Sequence, residues 1–198
     1  QAKSSAEKKF SSATEANEER TWKSFEEFVD AVKDIHIDDM VFLDEAGINL
    51  AMARLYGWSP IGKRVYSPIP FKRGKNVTLI GAIGSKGMIA EMMFQGSLNA
   101  TAFEIFIKEY LLPALKPGQV VIMDNFRVHK SKKASDLLYS EGNDILFLPP
   151  YSPQLNPIEL AWSKIKNSLR TTAARTYESL VDAVRVAIES VTISDALG

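Results

Sequence analysis

The chain has 198 residues, 45% of them hydrophobic and 24% charged, which fits an ordinary soluble chain of one domain plus an appendage. It contains no cysteine and only two histidines, His36 and His129, so disulfides and thiolate metal centres are excluded and a zinc site is disfavoured. Its 24 basic and 24 acidic residues cancel and give no net pull toward nucleic acid, no apolar run approaches the roughly 20 residues of a membrane span, and the N-terminus does not read as a signal peptide.

Residues 1–38 form a polar, acid-rich segment that opens on a Ser/Ala/Lys/Glu stretch with too few apolar residues to require order. Trp22, Phe25, Phe28, Val29 and Val32 then recur at helical spacing. They predict a helix over residues 21–33, either docked on a core or serving as a linker. Met40-Val41-Phe42-Leu43 predicts a buried strand that ends at Asp44. Residues 48–75 show no period and carry Lys63, Arg64, Lys72, Arg73 and Lys75, with no acid in that basic part. Such a run is a solvated loop or a phosphate-contacting arm.

Residues 76–83 and 88–94 predict a hairpin closed at Gly84-Ser85-Lys86-Gly87. A helix should start at Asn99 or Thr101, carry Phe103, Phe106, Ile107, Tyr110 and Leu111, and be brought to a close by Pro113 and Pro117-Gly118. Gln119 to Met123 predicts a second buried strand, ending at Asp124-Asn125, and a helix over 134–140 and a strand over 144–148 follow. Pro149 and Pro150 close that strand because proline offers no N–H to a ladder. Asn156 then sits where an N-cap belongs, with Pro157 at the first helical position and Glu159 three residues after the cap. Ile158, Trp162, Ile165 and Leu169 face a core, so Glu159, Lys166 and Arg170 share another face. A last helix runs from Tyr177 to about Val191. The order of elements predicts an α/β fold, a mixed sheet with helices packed on it.

Asp44 and Asp124 each end an apolar strand, and in sheets covered by helices the carboxyl ends are where sites form. If the two strands are neighbours, two carboxylates lie side by side and Glu159 arrives from its helix. Three like charges raise one another's pKa unless a cation compensates. Hard oxygen donors suit Mg²⁺ or Mn²⁺, and two such ions about 3.5–4 Å apart serve phosphoryl transfer. Each residue also has an ordinary role, and taken singly that role is the commoner one. Asp44 fits a turn before Gly47, Asp124 an Asx turn, and Glu159 a capping box with Asn156. The three together favour the metal.

The runs FLDEAG, VVIMDNFRVHKS and LPPYSPQLNPIELAWSKIK resemble the catalytic domain of transposases of the IS630/Tc1/mariner superfamily. Thirty-four residues, positions 125–158, separate Asp124 from Glu159, the spacing of one branch of that superfamily. The resemblance covers roughly residues 39–190. It implies a ribonuclease H-like fold with a five-stranded mixed sheet and helices on both faces, formed by residues 39–198, with 48–75 as an insertion like the family's clamp loop. It also implies that Asp44, Asp124 and Glu159 hold two Mg²⁺ ions, for which Mn²⁺ can substitute. These would hydrolyse double-stranded DNA at a transposon end and join the freed 3′-OH to target DNA at a TA site.

By the same resemblance Asn125, His129 and Lys130 belong to the second motif, where they orient Asp124 or touch phosphate, and Asn156, with Pro157, is a structural residue behind the site that positions the helix of Glu159. For His129 an ordinary helix-start role stands level with these. Arg127, Lys166 and Arg170 are candidate DNA contacts, with a solvated helix face the equal alternative for the last two. Glu45 should point away from Asp44 on its strand and is left out of the triad. Relatives often have a small residue where this chain has Phe126. They also carry N-terminal helix-turn-helix domains that residues 1–38 are too short and acidic to supply, so a separate or missing DNA-reading domain is expected. A homodimer on DNA, no membrane partner, and residence in the nucleoid of a bacterium or the nucleus of a eukaryote complete the expectation. A plain nuclease or resolvase of the same fold, and an inactive DNA-binding or dimerisation module, are the competing readings.

Overall fold

A computed structural model describes residues 19–195 apart from 55, 69, 72, 73 and 193. Residues 1–18 and the candidate DNA contacts Lys72 and Arg73 therefore lie outside the described residues.

Strand β1 (Met40–Ile48) occupies the middle of a five-stranded sheet. The hairpin of β2 (Val77–Gly84) and β3 (Gly87–Gln95) extends it on one side with antiparallel pairing. On the other side β4 (Val120–Met123) and β5 (Asp144–Phe147) add in parallel, giving the order β3-β2-β1-β4-β5. Helices α1 (Glu19–Val32), α2 (Ala100–Ile105), α3 (Lys132–Ser140), α4 (Ile158–Thr172) and α5 (Tyr177–Glu189) surround the sheet. Among the described residues no helix is long and apolar enough to cross a membrane.

Side chains alternate across the sheet, so β1 feeds two cores. Ala46 and Ile48, with Val77, Leu79 and Ile83, pack against Ile158, Trp162, Ile165 and Leu169 of α4 and Leu180, Val184 and Ala187 of α5. Val41 and Leu43, with Ile80 and Ala82, pack on the other face against Phe103, Phe106, Ile107, Leu111 and Leu138. Each buried Val, Leu, Ile or Phe side chain among these contributes roughly 1.5–3 kcal/mol, and each alanine less. Tyr110, of the same helix as the buried Phe106, Ile107 and Leu111, is 44% exposed. Beyond Ile105 the helix widens into a π-helical turn, Phe106–Leu111, which shifts the face that each residue presents. Of the N-terminal stripe only Phe28 is buried, against Ile122 and Leu148, while Trp22 is 61% exposed.

Two boundaries differ from the sequence expectation, and both position the site. β1 does not stop at Asp44 but runs on to Ile48, because β2 keeps pairing with it as far as Ile48↔Val77. What ends near Asp44 is the parallel pairing with β4, whose last matched pair is Leu43↔Met123. The capping box at α4 also does not form. A short 3₁₀ turn, Pro153–Leu155, leads into a helix whose cap position is Pro157, with no side-chain cap bond. Asn156 is buried and its Oδ1 lacks a hydrogen-bond partner among the described residues. Glu159 is therefore not turned back onto the cap.

Gly81 sits opposite Asp44 across β1 and β2. A Cβ there would lie 2.6 Å from Met88 Cε and 2.9 Å from Trp162 Cη2. The methionine can swing aside, whereas the indole is only 1% exposed and wedged in the core. Gly81→Ala is expected to destabilise the protein by about 1–3 kcal/mol, measurable as a lowered midpoint in urea, and to disturb the Trp162 contact described next.

Candidate active site

The parallel strands deliver the first two carboxylates. Asp44 and Asp124 are the next residues after the paired Leu43 and Met123, so adjacent strands carry them out side by side at their carboxyl ends. The Pro149-Pro150 turn after β5 brings the chain round to α4, whose first turn carries Glu159, exposed to solvent. A negative charge is favoured at that helix end. Asp44, Asp124 and Glu159 together line one open cleft of about 400 Å³, with Asn125, Phe126, Tyr151 and Asn156 also in its walls.

The two aspartates are held differently. Trp162 Nε1 donates to Asp44 Oδ2 at 3.1 Å, so the core tryptophan also holds the carboxylate. Burial pushes the Asp44 carboxyl up to about 7, and repulsion from Glu45, Glu159 and Asp124 adds to the rise. Asp124 Oδ1 receives the Phe126 N–H at 2.8 Å and lies 2.6 Å from His129 Nδ1. The histidine bond holds the Asp124 carboxyl below the usual range. Burial alone would depress the His129 imidazole, but its contacts with Asp124 and Glu45 overcome that and raise it to about 9.

The Asn125 side chain makes its hydrogen bond away from the carboxylates. Its Nδ2 donates to Leu148 O at 2.7 Å and ties the exits of β4 and β5 together. His129 cannot serve as a DNA contact, because its side chain is fully buried between Asp124 and Glu45. Arg127 and Lys130 are exposed beside it, Lys130 with its ammonium 5.8 Å from the Phe147 ring centre. Lys63, Arg64 and Lys75 are exposed on the long connection between β1 and β2. Lys166 and Arg170 lie half-buried along α4, where Arg170 donates to Asn167 Oδ1 at 2.8 Å. Among the described residues, no three acidic or histidine side chains are drawn together tightly enough to chelate an ion as they stand.

From the pattern alone Trp162 is a packing residue and Glu45 lies outside the triad, yet both bear on the site. The tryptophan had a usable signal, since a buried indole N–H needs an acceptor. Glu45 had none, because its partner His129 follows the strand on the far side of β1.

A mixed sheet that carries acidic residues at the ends of its two central parallel strands, faced by a third on a helix, defines a ribonuclease H-like domain with an acidic cleft. The chain belongs to the DDE superfamily endonucleases, whose family model matches residues 39–181. A solved Mos1 transposase paired-end complex with left transposon end superposes with a TM-score of 0.77 at 18% identity, over 99% of this chain and 61% of that one. The Mos1 strand transfer complex gives 0.73 at 19% identity, over 99% and 61%. The Mos1 transposase catalytic domain with Raltegravir and Mg gives 0.68 at 18%, over 90% of this chain and 85% of that one. The chain thus spans about three fifths of the length of the full Mos1 chains it matches. No curated protein matches it.

Proposed function

We propose that this chain is the catalytic domain of a DNA transposase, which cuts at transposon ends and joins the 3′-OH to target DNA. The observation that carries the reading is the convergence of Asp44, Asp124 and Glu159 on one cleft. The donor set fits a hard divalent cation. It is all oxygen, Asp44 is held up near neutrality by burial and by its acidic neighbours, and Asn156, whose buried Oδ1 has no hydrogen-bond partner among the described residues, lines the same cleft. Asp44, Asp124 and Glu159 would hold the metal. When bound, a pair of Mg²⁺ or Mn²⁺ ions supplies the charge that offsets the carboxylates and the Lewis acidity that phosphoryl transfer requires.

The chain's own groups do the remaining work. Trp162 and His129 fix the two aspartates, so little reorganisation is left for the moment of reaction. Phe126 and Tyr151, 44% and 60% exposed, give the cleft walls aromatic surface beside a DNA strand. Lys63, Arg64 and Lys75 contact phosphate from the β1–β2 connection, and Arg127 and Lys130 from beyond β4. The same connection presents Tyr56, Trp58, Ile61, Tyr66 and Phe71, each at least 85% exposed, which suits a protein partner. A second protomer in the DNA complex is the natural one, and the element's ends are read by a separate domain. The protein works wherever its DNA is, nucleoid or nucleus.

The test is a strand-transfer assay with pre-cut ends and Mg²⁺ or Mn²⁺. Cutting followed by joining is expected. Cutting without joining would leave a plain nuclease, and DNA binding with neither step would leave an inactive module.

A further inference from the structure

Glu45 lies on the face of β1 opposite Asp44, yet its carboxylate Oε2 comes within 3.3 Å of His129 Nε2. The other ring nitrogen of His129 lies 2.6 Å from Asp124 Oδ1. The imidazole between them is wholly buried, with the Phe103 ring 5.0 Å away and the Phe126 ring 5.7 Å away, centre to centre. A carboxylate, an imidazole and a second carboxylate thus form a chain from one face of the sheet to the cleft. We infer that Glu45, acting through His129, is a positioning residue that sets which oxygen of Asp124 is offered to the cleft. The inference rests on the reading of Asp124 as a metal-holding residue and names a support for it that lies outside the cleft.

Two observations carry it. Both donors to Asp124, His129 Nδ1 and the Phe126 N–H, converge on Oδ1 and leave Oδ2 for another ligand. Apart from each other, Glu45 Oε2 and His129 Nε2 have nothing to compensate them. Both are buried, and neither has a hydrogen-bond partner among the described residues. Removing one partner of a buried pair leaves the other uncompensated, so the ring would lose the anion behind it and its grip on Asp124 would slacken. His129, one bond removed from Asp124, is a partner of the kind whose mutation typically changes metal affinity 10–100-fold, and Glu45 stands one step behind it.

Glu45→Gln keeps the size of the side chain and removes its charge. The full chain is titrated with Mn²⁺ by electron paramagnetic resonance, and the His129 Nε2 resonance is followed by ¹⁵N NMR without metal. Glu45→Gln is expected to weaken Mn²⁺ binding about 10-fold, the low end of the range for a direct partner of a metal ligand, to shift or lose the Nε2–H signal, and to lower kcat while KM for DNA stays unchanged. In His129→Asn the amide still donates to Asp124 but cannot reach Glu45, so adding Glu45→Gln to it should cost nothing more. Wild-type Mn²⁺ affinity and an unaltered Nε2–H signal in Glu45→Gln would overturn the inference, as would additive effects of the two substitutions. Should Glu45→Gln fail to fold, His129→Asn decides alone: a comparable loss supports the link and wild-type affinity refutes it. If Asp124→Asn itself binds Mn²⁺ like wild type, the reading of the cleft fails instead.

Discussion

Asp124→Asn is expected to lower metal-dependent DNA cleavage by about 10³-fold or more while leaving the fold intact. The substituted side chain is isosteric, and Asp124 lies half-exposed beyond the end of β4, so no cavity opens. The chemistry changes sharply. The carboxamide can keep one acceptor oxygen for the Phe126 N–H and His129 Nδ1, but it then presents an NH₂ donor where a cation would be held. Glu159→Gln should behave alike, because among the described residues the Glu159 side chain makes no hydrogen bond or ion pair that the amide would break, and it serves the cleft by its charge. Single-turnover cleavage in Mg²⁺ and in Mn²⁺, beside thermal unfolding of the same samples, separates lost chemistry from lost folding. Equal cleavage by wild type and both variants would remove these residues from the site.

The second large effect concerns Asp44 and stability. Its carboxyl rises from 3.8 to about 7 on folding. A folded value above the unfolded one means that the unfolded chain releases this proton first. Ionisation therefore destabilises the fold increasingly from about pH 4 to pH 7, and the penalty is constant above that. The shift corresponds to at most roughly 4 kcal/mol. Asp44→Asn removes the penalty and still accepts from Trp162 Nε1. Without metal at pH 8 it should melt about 5–10 °C above wild type, with the difference closing toward pH 4. His129, raised to about 9, also loses its stabilising contribution as pH rises toward that value, but it does so in both proteins and cancels in the comparison. Mg²⁺ at pH 8 should raise the wild-type Tm far more than that of Asp44→Asn. A wild type that is the more stable of the two without metal would contradict this picture of Asp44.

What could be read in the sequence followed from local patterns with one dominant cause. The hairpin at Gly84–Gly87 and the helical spacing of Ile158, Trp162, Ile165 and Leu169 depend on neighbours in the chain, and both elements stand where those patterns put them. Asp44 read as a strand end because the apolar run stops at Leu43, yet the strand continues since β2 supplies hydrogen bonds regardless of side-chain polarity. The Asn156 cap was a sound local inference that lost to tertiary packing, with Asn156 buried at the cleft wall. The meeting of Asp44 with Asp124 depended on strand order, which patterning alone leaves open. The Glu45–His129–Asp124 chain needed more still, since it runs through the sheet between residues on different strands and a connecting turn.

The most direct measurement is anomalous diffraction from a crystal soaked in Mn²⁺. The account expects density in the cleft bounded by Asp44, Asp124 and Glu159, absent from Asp124→Asn crystals treated in the same way. At saturating Mn²⁺, an empty cleft, or ions held only elsewhere on the surface, would contradict it.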